Sequence, residues 1–174
     1  MTTSSTFNRP ASLENVSISS LKQTLGSFAS GVNLITAHDE QGPVGFTCQS
    51  FYSVSLDPPL ISLSVMHSST SYPRIRRTGG FAVNVLCESQ KTLSNQFAKS
   101  SNDKWAGVKW EFSPTGKPLI DGSMMWLECS LYSEQVVGDH YVVYGEVQEA
   151  KCNVLADDGP LIYFKGGYRS LAGT

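Results

Sequence analysis

The chain has 174 residues, a formal net charge of −2, 40% hydrophobic and 16% charged residues. Length and composition suit one compact domain and exclude a disordered polypeptide, and a pI near 5.9 argues against a general nucleic-acid binder, which needs a cationic surplus to neutralise phosphates. No apolar run approaches the ~20 residues of a membrane span. The start, MTTSSTFNRPASLENVSISS, lacks a basic segment followed by an apolar block, so it reads as a flexible tail over residues 1–16 rather than a secretory signal, leaving a single domain over 17–174. Ile18, Leu21, Leu25, Phe28 and Ala29 then recur at helical spacing, with Gly31 as the expected stop.

VNLITA predicts a strand, and QGP a turn into the strand-like GFTCQSFYSV. LISLSVM is a third strand after the Asp57-Pro58-Pro59 breaker, and SYPRIRRTG a short helix with Pro73 in its first turn and Gly79-Gly80 at its end. FAVNVL is a fourth strand and QKTLSNQFAKS a second short helix. Residues 100–122 read as a long irregular loop, which in a small domain is functional or packs under its own aromatics. Met125, Leu127, Cys129 and Leu131 share one face of the next strand, and Gly138-Asp139 turns it into HYVVYGEVQEA as a long hairpin. GPLIYFKGGY closes the list as one more strand. Six or seven strands with short helices and no βαβ regularity indicate a small barrel with appended helices.

The chemistry-bearing residues exclude several classes. Cys48, Cys87, Cys129 and Cys152 are far apart and form no CxxC pair, so a zinc site is disfavoured and buried free thiols in a reducing cytoplasm are expected. His38, His67 and His140 lack metal-ligand spacing, and without a GxSxG elbow a hydrolytic triad has no support. Neither GxGxxG after a strand nor GxxxxGK[ST] is present. Three small stretches stand out. HSSTS, His67 to Ser71, offers hydroxyls ahead of a helix, either as an anion site or as an N-cap with spare serines. Arg74, Arg76, Arg77 and Lys104 either reach the same anion or form solvated surface. GDH, Gly138 to His140, places an imidazole past a hairpin turn, as a plain turn residue or as a directed hydrogen-bonding group. The polar run Thr47-Cys48-Gln49-Ser50 fills strand positions where a core would carry Val or Leu.

Together FASGVNLIT, GFTCQSFYSVSLDPPLISLSV, FAVNVLCESQKTLSNQFA, DKWAGVKW, GDHYVVYGEV and PLIYFKGGY resemble the short-chain flavin reductase family, the reductase components of two-component flavin-dependent monooxygenases, across roughly residues 20–170. The resemblance implies a mainly β fold with short helices, a split β-barrel with a Greek-key arrangement, working as a homodimer in the cytoplasm. It implies direct hydride transfer from NADH or NADPH to FMN or FAD, with reduced flavin passing to a separate monooxygenase and no nucleic-acid or membrane partner. By the same resemblance Thr47, Cys48, Gln49 and Ser50 line the flavin ring, Ser69, Thr70 and Ser71 hold its phosphate, Phe97 and Lys104 shape the rest of the site, and His140 places the nicotinamide. The sequence departs from the usual small residues at Cys48-Gln49, so Gln49 either bonds the ring edge or turns outward, and Cys48 beside the ring would sensitise the site to thiol oxidation. A flavin-binding carrier or sensor without turnover is the rival reading.

Overall fold

The computed structural model describes residues 16–99, 103–153 and 158–171, so nearly all of the expected tail lies outside the described residues. Helix α1 (Ile18–Leu25) is followed by β1 (Ser30–Gly31), β2 (Asn33–Asp39), β3 (Gly42–Cys48), β4 (Tyr52–Leu56) and β5 (Pro59–Met66). Then come α2 (Tyr72–Arg77), β6 (Gly80–Val85), a 3₁₀ turn (Glu88–Gln90), α3 (Lys91–Ala98), β7 (Trp110–Phe112) and β8 (Pro118–Ile120). The long strands β9 (Met125–Val137) and β10 (His140–Cys152) precede the short β11 (Ile162–Phe164) and β12 (Gly167–Arg169).

Seven strands form one antiparallel sheet in the order β3-β2-β6-β9-β10-β5-β4. Its two edge strands, β3 and β4, are consecutive in the chain, joined only through residues 49–51. Four Cα steps span at most roughly 14 Å, so the sheet must curl until its edges meet. The closure is incomplete: ahead of the start of β4 at Tyr52, paired with Ser62, a side chain continues its ladder. The Ser50 hydroxyl accepts from the Ser64 N–H at 2.8 Å and donates to the Ser64 carbonyl at 3.0 Å. This is a barrel split along one seam, as the resemblance implied.

Strand alternation fills the barrel. Ile61, Leu63 and Val65 of β5 point inward between Ser62 and Ser64, and meet Ile35, Val44, Phe81, Val83, Cys129 and Val143. Each large side chain so buried contributes about 1.5–3 kcal/mol. Gly145 makes the centre possible, because a Cβ there would sit 2.7 Å from the Phe81 ring.

A second apolar layer lies outside β2 and β6, where Val32, Leu34, Leu86, Ile120 and Leu161 pack around Phe97 of α3. Beside it the outer face turns polar: Asn84 Nδ2 donates to Thr36 Oγ1 (2.9 Å), Thr36 Oγ1 donates to the Pro118 carbonyl (2.6 Å), and Asn84 Oδ1 accepts from the Ile120 N–H (2.8 Å). Glu128, 1% exposed, is bound by Lys117 Nζ at 2.9 Å. These bonds pin the β7–β8 hairpin to the sheet, so the segment expected to be wholly irregular contains a small ordered sheet.

Three further expectations need correction. Helix α1 is capped by the Ser17 side chain and ends at Gly26, five residues before the expected Gly31. The last predicted strand is two, β11 and β12, separated by a tight turn at Lys165 and Gly166 with positive φ at both. Of the four cysteines, Cys48, Cys87 and Cys129 are buried and free, whereas Cys152 is exposed. No helix among the described residues is long and apolar enough to cross a membrane.

Candidate functional site

Where β5 ends, the chain turns through Ser68–Ser71 into α2, and the tip of the β9–β10 hairpin lies alongside because His140 pairs with Met66. Gly138 takes φ +61 at the first position of this two-residue turn, the conformation that tight hairpins ask of Gly. From the opposite side comes the C-terminal end of α3 with Lys104. The resulting cavity, about 290 Å³, is lined by Thr47, Ser69, Thr70, Ser71, Phe97, Lys104 and His140, seven of the ten residues singled out in the sequence. Ser64 and Ser68 also line it; Ser68 belongs to the HSSTS stretch picked out in the sequence, whereas Ser64 was not singled out. Small polar residues alternating with Ile61, Leu63 and Val65 on β5 were the signal for Ser64.

The hydroxyls of this cavity divide by what already holds them. Ser69 Oγ accepts from the Tyr72 N–H at 3.2 Å at the start of α2, and Ser71 Oγ, buried, donates to the Gly45 carbonyl at 3.0 Å. Ser68 and Thr70 are exposed and their hydroxyls have no partner among the described residues. Lys104 Nζ donates to the Phe97 carbonyl at 3.2 Å and meets no carboxylate among the described residues; desolvation holds its pKa below the ordinary lysine value. An unpaired, partly desolvated ammonium beside free hydroxyls is a donor set for an anion such as a phosphate.

Two of the three arginines beside it are committed elsewhere, while Arg77 is exposed. Arg74 binds Asp39 through Nε (2.8 Å) and Nη2 (2.5 Å) and also donates to the Gly42 carbonyl. This pairing holds the Asp39 carboxyl down to about 2. Arg76 pairs with Glu134 at 2.5 Å, and Glu134 also accepts from the Tyr72 hydroxyl. The phosphate reading of Arg74 and Arg76 is thereby replaced by a structural one.

Phe97 is 1% exposed and stands edge-on to Trp105, with centroids 5.0 Å apart. It forms a fixed wall, seated against Gly45, where a Cβ would come within 3.0 Å of its ring. His140 Nδ1 lies 2.6 Å from Asp139 Oδ1, and the imidazole keeps the Asp139 carboxyl below its usual range. With Nδ1 facing Asp139, Nε2 is the ring nitrogen left for a ligand.

Within Thr47–Ser50 the side chains go separate ways. Thr47 Oγ1 donates to the Ser94 carbonyl at 2.7 Å, tying β3 to α3, and Ser50 serves the seam. Cys48 points into the barrel core, 4% exposed, with burial pushing its thiol pKa up; it does not stand open beside a ring. Gln49 is exposed and lines a separate cavity of about 270 Å³ with Phe28, Phe51 and Tyr52, not the one that holds Thr47. Strand parity carried the signal: Cys48 shares the inward parity of Val44, and Thr47 that of Gly45.

Residues 25–172 match the model of the flavin reductase like domain. The chain is 41% identical over 152 residues to a flavin reductase of Pseudomonas putida, covering 87% of this chain and 88% of that one. It is 39% identical over 150 residues to the flavin-dependent monooxygenase reductase subunit HsaB of Rhodococcus jostii, covering 86% and 76%. Among solved structures, a nitrilotriacetate monooxygenase component B homologue from Mycobacterium thermoresistibile superposes with a TM-score of 0.86 at 38% identity, covering 88% and 86%. A barrel split at Ser50, a cavity of free hydroxyls with one unpaired ammonium, and these similarities place the chain in the flavin reductase-like family.

Proposed function

We propose that this protein is an NAD(P)H-dependent flavin reductase that reduces FMN or FAD by direct hydride transfer and hands the reduced flavin to a separate monooxygenase component. The observation that carries the reading is the convergence of Ser68, Thr70, Lys104 and His140 on one cavity that holds no nucleophile paired with a base. A site of this kind binds and orients; it does not attack.

The chemistry a bound flavin supplies is acceptance of a hydride from the nicotinamide ring. The protein's own part is positional. Ser68, Thr70 and Lys104 hold the flavin phosphate, and Phe97 fixes one wall. The side chains of Thr47 and Ser50 are already engaged by backbone, so residues 47–50 contribute through their main chain, whose N–H groups suit the charge that grows on a reduced ring. His140, with Nδ1 facing Asp139, orients the nicotinamide through Nε2. The chain works as a homodimer in the cytoplasm: exposed Ile18, Leu21, Leu25 and Phe28, with Val54 and Leu56 of β4, give a second copy an apolar face, and four free cysteines suit a reducing compartment.

Following NADH oxidation with added FMN or FAD tests the reading. His140→Ala raises the KM for NADH about tenfold, the scale of one good hydrogen bond, and leaves the flavin Kd in place. Unchanged kinetics remove His140 from the mechanism, and tight flavin binding without NADH oxidation turns the protein into a carrier.

A further inference from the structure

A second cavity of about 390 Å³ adjoins the first, lined by Pro43, Val44, Gly45, Arg74 and Trp105, and it shares Thr70, Ser71 and Lys104 with it. Each cavity alone lies at the low end of the roughly 300–1,000 Å³ of ligand pockets. Adjoining at the shared residues, they give two arms with the phosphate-binding chemistry between them. A mononucleotide, which ends at its phosphate, fills one arm; a ligand with a planar group beyond the phosphate fills both.

The chemistry of the second arm matches a flat heterocycle. Trp105 is half-buried and held edge-on by Phe97 and Trp110, with centroids at 5.0 and 5.6 Å, so its indole is fixed before any ligand arrives. The Arg74 guanidinium has Nε and Nη2 taken by Asp39 and the Gly42 carbonyl. What it still presents is Nη1 and its flat cationic face, which stacks on aromatic rings. Pro43 adds an apolar side chain to the lining, which Val44, its side chain in the barrel core, reaches from β3.

From this arrangement we infer that the second arm takes the adenosine half of FAD, with Trp105 and Arg74 as the residues that select FAD over FMN. The inference rests on the flavin-reductase reading and adds the identity of its flavin.

Calorimetric titration of the full chain with FAD, FMN and ADP, without NADH, tests it independently of turnover. FAD is expected to bind roughly tenfold tighter than FMN, the scale of one base–aromatic stack, and ADP to compete with FAD. Trp105→Leu keeps apolar bulk but not stacking, and should bring FAD down to the FMN affinity while FMN stays put; Trp105→Phe should keep the preference. Equal FAD and FMN affinities in the wild-type chain, or a Trp105→Leu variant that loses both equally, overturn the inference. Should Trp105→Leu unfold on thermal melting, the wild-type FAD-to-FMN ratio and the ADP competition decide alone. Failure of either flavin to bind at all sinks the flavin reading itself, which separates the two failures.

Discussion

Residues 47–50 and 68–71 are both short runs of small polar side chains placed where a strand ends, and they differ in where their hydroxyls go. In the first run Thr47 bonds the Ser94 carbonyl and Ser50 bonds both backbone groups of Ser64, so its hydroxyls stitch β3 to α3 and β5. In the second, Ser69 and Ser71 are engaged, while Ser68 and Thr70 are left free beside Lys104. Composition makes the runs look alike; partner accounting separates architecture from recognition.

Lys104→Ala gives the largest expected break in this contrast. Charge-assisted hydrogen bonds contribute about 1.5–3 kcal/mol, so FMN affinity should fall roughly 10- to 150-fold. Riboflavin, which has no phosphate, should bind as before; an equal loss for both ligands takes the phosphate away from Lys104. Ser50→Ala comes next and acts on stability. Leaving the Ser64 N–H and carbonyl unmet should cost about 2 kcal/mol, a drop of about 4–8 °C in thermal midpoint for a domain of this size, with no comparable loss of FMN affinity. Thr70→Val should do the reverse, with a fivefold or so weaker FMN Kd, the worth of about 1 kcal/mol, and an unmoved thermal midpoint.

Cysteine chemistry gives the smallest effect. An alkylating reagent at pH 8 should label Cys152 in the native protein, and reach Cys48, Cys87 and Cys129 only after denaturation, since those three are buried. Burial pushes the Cys129 thiol up to about 12 and also raises that of Cys48, and thiolate is the reactive form. Peroxide inactivation should accordingly be unchanged in Cys48→Ser. Mass spectrometry that finds Cys48 modified in folded protein would return it to the flavin.

Local periodicity carried the fold. LISLSVM alternates so cleanly that its inward residues follow from the sequence, and Gly138-Asp139 announces the longest hairpin. The stop of α1 was misplaced because Phe28 and Ala29 keep helical spacing after Gly26 has already ended the helix. The β7–β8 hairpin was invisible because what holds it is nonlocal: Lys117 to Glu128, and backbone to Thr36 and Asn84 across the sheet. The same holds in the site. Asp39 is 35 residues from Arg74, and no local pattern reveals that this arginine is already bound. The cavity residues were legible from the family pattern, whereas their division into free and engaged hydroxyls needed coordinates.

The Ser50 seam has a kinetic consequence. Strands laced by successive amides open only when several bonds break together, but the Ser64 amide is held on that side by one hydroxyl. Its hydrogen–deuterium exchange should therefore run ahead of that of its neighbours along β5, at the low-stability end of local opening. Ser64 also lines the ligand cavity, so a bound flavin should slow that exchange. One backbone proton thus becomes a label-free counter of ligand occupancy, readable with no turnover at all.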